Sequence, residues 1–305
     1  MIHKRKKFVC IGAVHTDYIL QFKTKHFNNR TNPVKKTQYM GGVAYNIAEK
    51  LSFLDLKTKL ISLNLQQTNI DKISKNKITF KALSREIYDR SYTSVLNKKG
   101  EMILGLADMD NYERPLTIKN MVNIKNNNII FDLNLSLKTI KSLISKYSLL
   151  NTISVCGTSA YKVYKIKRLL PKINILILNK QESLNLSNKK NIKDALKFII
   201  TKNKNLTAVI TNGKNSVKAY HNKNTYICKP PKTTIKNENK AGDIMSAFFY
   251  YYFFQKLNFS TVLSKSITAG TLHVSGFIST KTNYLKKIDK LSENIKVRIK
   301  KNEKK

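Results

Sequence analysis

The chain has 305 residues, 41% of them hydrophobic, and a formal net charge of +39, so it is long enough for a sizeable core and ordinary in apolar content for a globular protein. No run is apolar enough to span a membrane, the nearest being Ala247–Phe254, and the widely spaced Cys10, Cys156 and Cys228 form no metal motif and read as reduced thiols of a cytoplasmic protein. The lysines are spread along the whole chain with abundant Asn and Ile and without interleaved aromatics; they read as compositional drift, and nucleic acid is not an expected partner.

The basic, then apolar start has the look of a secretory leader, but His15, Thr16 and Asp17 interrupt it, and a cytosolic first strand fits better. FVCIG (Phe8–Gly12), NIIFD (Asn128–Asp132), INILILN (Ile173–Asn179) and TAVITNG (Thr207–Gly213) are continuous apolar runs that end in polar or glycine residues. Such runs suit parallel strands covered on both faces. Helical patterns lie between them at Ala44–Leu54, Leu137–Ser148, Ala160–Leu170 and Lys193–Thr201. The alternation predicts an α/β doubly wound, mostly parallel sheet flanked by helices, with ligands beyond the carboxyl ends of the strands. Asp17, Asp132, Asn179 and Gly213 all fall at or just after such ends.

Residues 18–40 and about 85–114 break the alternation with β-like patterns. SYTSVL and EMILGL flank Asn97-Lys98-Lys99-Gly100, a hairpin turn. These segments predict a small β-strand lid on a single domain covering 1–305. The C-terminal KVRIKKNEKK reads as a solvated helix end or frayed tail.

Four places carry candidate chemistry, each with a plainer reading beside it. Asp17 can accept hydrogen bonds from sugar hydroxyls or serve as a turn residue. Gly41-Gly42 opens the helix bearing Asn46; the pair lets a ligand approach the backbone, or is an ordinary loop. Asn179 and Glu182 are three apart after a strand, a spacing that suits hydrated magnesium beside phosphates and equally a helix capping box. Asp243 follows Ala241-Gly242 at the mouth of an oily helix, either as a helix-start residue or as a base beside an anion-binding turn. His15 and His273 lie in apolar surroundings and read as core residues, while His3, His26 and His221 lack metal-ligand spacing.

GGVAYNIA (Gly41–Ala48), NKQE, TNG and NENKAGD (Asn237–Asp243), in that order, resemble the signatures of the PfkB, or ribokinase-like, family of sugar and nucleoside kinases. Within that family TNPVKKTQYMGGVAYNIAE, GEMILGLADMDNYE and FDLNLS are most similar to the pseudouridine kinases. The resemblance implies a ribokinase-like fold and phosphorylation of the 5′-hydroxyl of pseudouridine, with ATP and magnesium as cofactors and a monovalent cation as a further candidate. Asp243 would be the base, with Lys240, Ala241 and Gly242 forming the anion hole. Asp17, Gly41, Gly42, Asn46, Asp108 and Asp110 would bind the nucleoside; Asn179, Thr211 and Gly213 would bind ATP; Asn179 and Glu182 would hold magnesium indirectly. It also implies a homodimer through the lid. The departures are Asn239-Lys240 in place of the family's Thr-Gly, Cys156 in place of Asp, and Ser216 in place of Gly. They leave open another sugar or nucleoside kinase, or a degenerate kinase that only binds ligand or nucleic acid.

Overall fold

In the computed structural model, which describes residues 7–116 and 124–301, all four residues of the first strand, β1 (Phe8–Ile11), are buried. Phe8 and Cys10 enter one apolar layer and Val9 and Ile11 the other, as the two-residue period of a strand requires. The parallel strands β4 (Thr58–Asn64) and β8 (Asn128–Phe131) flank it. The sheet continues in parallel through β5 (Ile78–Ile87) on one side and β9 (Thr152–Cys156), β10 (Ile175–Asn179) and β11 (Thr207–Thr211) on the other. Three antiparallel strands, β12 (Val217–His221), β13 (Asn224–Cys228) and β14 (Val297–Lys301), complete it. Because the chain leaves β1 in opposite directions, the carboxyl ends of β1 and β8 make a topological switch point, where open α/β sheets bind ligands.

Helices α1 (Val43–Phe53), α6 (Ala241–Phe253), α7 (Phe259–Val274) and α8 (Lys281–Ser292) share the layer of Phe8 and Cys10. Helices α3 (Leu137–Tyr147), α4 (Lys180–Ser187) and α5 (Ile192–Lys202) share that of Val9 and Ile11. Helix α2 (Gln67–Lys75) buries Ile73 near the edge strand β5. A second sheet has the order β3-β2-β6-β7, with β2 His15–Phe22, β3 Val34–Gly41, β6 Ser91–Leu96 and β7 Met102–Asp108. The predicted hairpin is present: β6 and β7 pair antiparallel, and the Gly100 N–H donates to Asn97 O at 3.0 Å.

Three expectations need correction. Ala160–Leu170 is not an α-helix; it holds 3-10 turns at Val163–Ile166 and Leu170–Lys172. Pro171 follows it directly, and Lys162 and Lys165 are drawn inward to Asn134 Oδ1 and to the carbonyls of Leu133 and Leu135. The tail is neither helix end nor frayed over Val297–Lys301, which pairs with β13 as an edge strand rich in lysine, a composition that suits an unpaired edge. Residues 302–305 of that tail, and His3, lie outside the described residues. Asp17 does not follow a core strand but lies inside β2 of the small sheet.

The two sheets are stitched where the chain returns to the core. Tyr112, fully buried, accepts the Val14 N–H at 2.6 Å and donates to Val14 O at 2.8 Å. The Arg90 guanidinium stacks over its ring at 5.0 Å and donates to Asn64 O at 3.0 Å. Nearby, the buried Lys165 ammonium bonds both carboxylate oxygens of Glu113, at 2.6 and 2.9 Å. Tyr112→Phe leaves a buried backbone N–H without its acceptor, a loss of about 1–3 kcal/mol. A thermal melt should show a lower Tm for the variant, and an unchanged Tm would show that Val14 finds another partner.

Candidate active site

The site grows from the carboxyl ends of β1 and β8. Asp132, 1% exposed, stands just past β8. Its Oδ2 accepts the N–H groups of Ala13 (2.8 Å) and Ala44 (3.1 Å), and its Oδ1 that of Asn134 (2.9 Å). One carboxylate thus ties the β1 exit, the first turn of α1 and its own loop together. In the sequence Asp132 stands at a strand end and within FDLNLS, but nothing in its spacing marks it as a tie.

The glycine pair has its reason in contacts as well as in conformation. A Cβ at Gly41 would run into the Asp17 carboxylate, and one at Gly42, where φ is 109°, into Ala13 O. Side chains at either position are therefore excluded. The glycine pair and Asp17 meet from different strands, and Asn46 stands in the first turn of α1. Asn46 Nδ2 donates to Asp243 Oδ2 at 2.7 Å across 197 residues. Asn46 Oδ1, Asp17 Oδ1 and His15 Nδ1 are buried atoms without a hydrogen-bond partner, although His15 Nε2 lies 3.0 Å from Asp17 Oδ1. Unpaired buried polar atoms beside the glycine pair are what a polyhydroxyl ligand would satisfy. His15 is therefore a partly buried residue of this spot rather than a core histidine, because β2 belongs to the small sheet.

Asp243 lies in the first turn of α6. Its side chain keeps some contact with solvent yet is packed about by protein, and this burial pushes its pKa up to about 7. The Asn46 hydrogen bond opposes the rise, the Asp132 charge adds to it, and Lys240 lowers it. The turn before it departs from expectation in a useful way. Lys240 has φ 66° and ψ 0°, the left-handed region, and its ammonium donates to Met40 O at 2.9 Å. The N–H of Ala241 is taken by Glu238 O at 3.3 Å. Among the described residues the N–H groups of Gly242 and Asp243 have no such partner, and the space beside Gly242 is open. Orphan donors of this kind at a helix start attract anions. His273, also expected in the core, is partly buried in the last turn of α7 and holds this loop: a carbonyl can only accept, so its Nε2 carries the proton donated to Asn239 O at 2.7 Å.

A second group lies two strands away, about 10 Å at ordinary strand spacing. Asn179 and Thr211 are register partners on β10 and β11, and Gly213 follows with φ 53°. Asn179 Oδ1 accepts the Glu182 N–H at 2.9 Å, and Glu182 Oε2 accepts the Asn179 N–H at 2.8 Å. This is the capping box, with Glu182 buried against Gly157. Burial raises the pKa of Glu182, and the bond from Asn179 N–H opposes it. Among the described residues no three His, Cys, Asp or Glu side chains gather as a metal cage. Asp108 and Asp110 are exposed at the end of β7 and in the following 3-10 turn, where Asp110 acts electrostatically on Lys162. Lys162, which the sequence reading passed over, donates to Asn134 Oδ1 at 2.8 Å.

The Asp243 carboxyl should titrate near neutrality in a pH series followed by carbon NMR. Because the Asn46 hydrogen bond favours the ionised form, Asn46→Ala should move the midpoint upward. A midpoint in the ordinary carboxylate range would contradict the buried setting.

Comparison with known proteins agrees with this architecture. Residues 5–280 match the family described as pfkB family carbohydrate kinase. A 115-residue stretch is 30% identical to a pseudouridine-metabolizing bifunctional protein of Schizosaccharomyces pombe, taking up 35% of this chain and 15% of that protein. Among solved structures, a carbohydrate kinase from Agrobacterium tumefaciens superposes with a TM-score of 0.82 at 22% identity, covering 97% of this chain and 100% of the other. A nucleoside kinase from Methanocaldococcus jannaschii, an archaeal member of the ribokinase family, does so with a TM-score of 0.75 at 17% identity, covering 93% and 98%.

Proposed function

Because the chain belongs to the pfkB family of carbohydrate kinases, we propose that this ribokinase-like protein transfers the γ-phosphoryl group of ATP to the 5′-hydroxyl of pseudouridine. The observation that carries the reading is the Asn46–Asp243 hydrogen bond. It fixes a carboxyl with a pKa of about 7 between the unpaired oxygens of Asp17 and Asn46 and the orphan amides of Gly242 and Asp243. The choice of pseudouridine over another nucleoside or sugar rests on the lid sequence and on the partial likeness to the fission-yeast protein.

On this reading Asp17, Asn46 and the Gly41-Gly42 backbone hold the ribose. The Asp243 carboxylate takes the proton of the 5′-hydroxyl; that oxygen bonds to the γ-phosphorus as the bond to the bridging oxygen of ADP breaks, and ADP leaves. The amides of Gly242 and Asp243 stabilise charge on the transferring group. Asn179, Thr211 and Gly213 take the nucleotide. Magnesium, when bound, neutralises phosphate oxygens; held by phosphates and water, it would need no protein cage, and Glu182 would offer its charge from behind the capping box. The small sheet serves as a lid, with Asp108 and Asp110 at its closing end. Its edge strand β7 exposes Met102, Ile103, Leu104 and Leu106, apolar surface that a second copy would cover. The buried, unpaired thiols suit a cytoplasmic enzyme.

A kinase weakened at its anion turn is favoured by a specific observation: Lys240 holds a left-handed conformation that costs a side-chain-bearing residue about 1–2 kcal/mol.

Four measurements test the proposal. Product formation from ATP across nucleosides and sugars should be fastest with pseudouridine, and Asp243→Asn should lower turnover by about 10²–10⁴-fold in a folded protein. Turnover like the native chain's would remove Asp243 from the role of base. Glu182→Gln can still accept the Asn179 N–H, so the melt should hold while the magnesium concentration needed for half-maximal rate rises. An unmoved magnesium dependence would leave Glu182 as a cap alone. Lys240→Gly should raise turnover with little change in nucleoside affinity, whereas a fall would show that the bond to Met40 O or the charge beside Asp243 outweighs relief of the turn.

A further inference from the structure

The end of the sheet opposite the catalytic edge holds a cavity of about 1140 Å³ that the proposed reaction does not use. Its walls are aromatic. Phe8 meets Phe254 edge-on at 5.6 Å, Phe253 meets Phe254 likewise at 5.4 Å, and Phe259 forms a further side. Asn128 also lines it and is 1% exposed, and neither Oδ1 nor Nδ2 of its amide has a partner. Strand alternation explains its direction: Asn128 stands two residues before Ile130, which packs in the layer of Phe8 and α6. A leucine at this first position of β8 would fill the same layer without stranding two polar groups, so the amide is an anomaly unless something meets it.

We propose that this cavity is a second binding site, for a flat lactam heterocycle of the uracil or hypoxanthine type. Ring faces match the aromatic walls. A ring N–H beside a C=O presents a donor and an acceptor together, the complement of an unpaired carboxamide. The volume is somewhat above the roughly 300–1,000 Å³ usual for small-molecule pockets and exceeds the needs of a base, so a nucleoside also fits. The site is separate from the catalytic edge. Asp243 lies in the first turn of α6 and Phe253 at its end, about 15 Å apart along the helix. The same rigid element thus touches both, and the inference does not depend on the kinase reading.

The test is calorimetric titration of the full chain with uracil, uridine and 1,3-dimethyluracil. One saturable site for uracil is expected, with binding weaker by at least about tenfold for the dimethyl analogue, which lacks the N–H donor, and for Asn128→Leu. Uridine binding with the same dependence on Asn128 would identify the nucleoside as the natural form. Leu257→Trp, at the partly exposed mouth, should abolish binding too and serves if Asn128→Leu fails to fold. Asp17→Asn, at the catalytic edge, should leave uracil binding intact. Absence of saturable uptake of any of the three, leaving water as the occupant, overturns the proposal. So does binding that survives Asn128→Leu and Leu257→Trp but is lost in Asp17→Asn, or equal affinity for uracil and 1,3-dimethyluracil.

Discussion

The candidate active site depends on one buried carboxylate receiving three backbone amides. Among the described residues Asp132 forms no close ion pair, although its charge acts on Lys162; the N–H groups of Ala13, Ala44 and Asn134 hold it instead. A buried carboxylate is tolerable when such donors replace its lost hydration. The requirement propagates outward. Gly12 cannot bear a side chain, because a Cβ there would overlap this carboxylate. The start of α1 is fixed through Ala44, and with it the orientation of Asn46, whose amide is the contact to Asp243. A change at β8 therefore reaches a residue 111 positions later in the sequence through two hydrogen bonds and one turn of helix.

The small sheet is held with similar economy. Its strands come from two excursions, β2-β3 and β6-β7, of which the first leaves the core after Val14 and the second returns through Tyr112, so the mutual hydrogen bonds between Val14 and Tyr112 join the first exit to the last return. Arg90 and the Lys165–Glu113 pair reinforce the same return. Attachment is thus concentrated at the base, while the outer strand β7 has no buried residue along its length. That distribution suits a flap that is fixed at one end and adaptable at the other.

Continuous apolar runs made β1, β8, β10 and β11 legible, since buried parallel strands need apolar residues on both faces, whereas the parallel strands β4, β5 and β9 were not recognised. The antiparallel strands β12, β13 and β14 were not, because VKAYH and VRIKK mix lysine with apolar residues on half-exposed or edge positions. The run Ala160–Leu170 has helix-like spacing, but Lys162 and Lys165 carry charges that bond inward to Asn134, Leu133 and Leu135. Tertiary demand overrode the local pattern there. At the site, the glycine pair, Asn46 and Asp243 were legible as short motifs. The ties between them were not, because a hydrogen bond spanning 197 residues leaves no periodic trace. Asn179 and Glu182 show the limit of spacing arguments: a capping box and an approach to magnesium use the same three-residue step, and only coordinates reveal the box.

The charge of this chain also acquires a local meaning at one position. Drift toward lysine explains a surface loaded with it, but Lys240 is partly buried, in a backbone conformation that favours glycine. Two opposed consequences follow from that single residue. The left-handed turn is strained by the presence of a Cβ, and the ammonium, anchored on Met40 O, adds a positive charge near Asp243. Burial, Asp132 and Glu182 all push the Asp243 pKa up, while Asn46 and Lys240 pull it down, and the sum lies near neutrality. A proton acceptor works best when its pKa lies close to the working pH. Without the two opposing groups the pKa would lie higher, and on the proposed mechanism the carboxyl would hold its proton over more of the neutral range. The lysine is thus at once a strain on the turn and a part of the field that keeps the carboxylate available, and these two effects act on different quantities: the geometry of the amides and the ionisation of the acid.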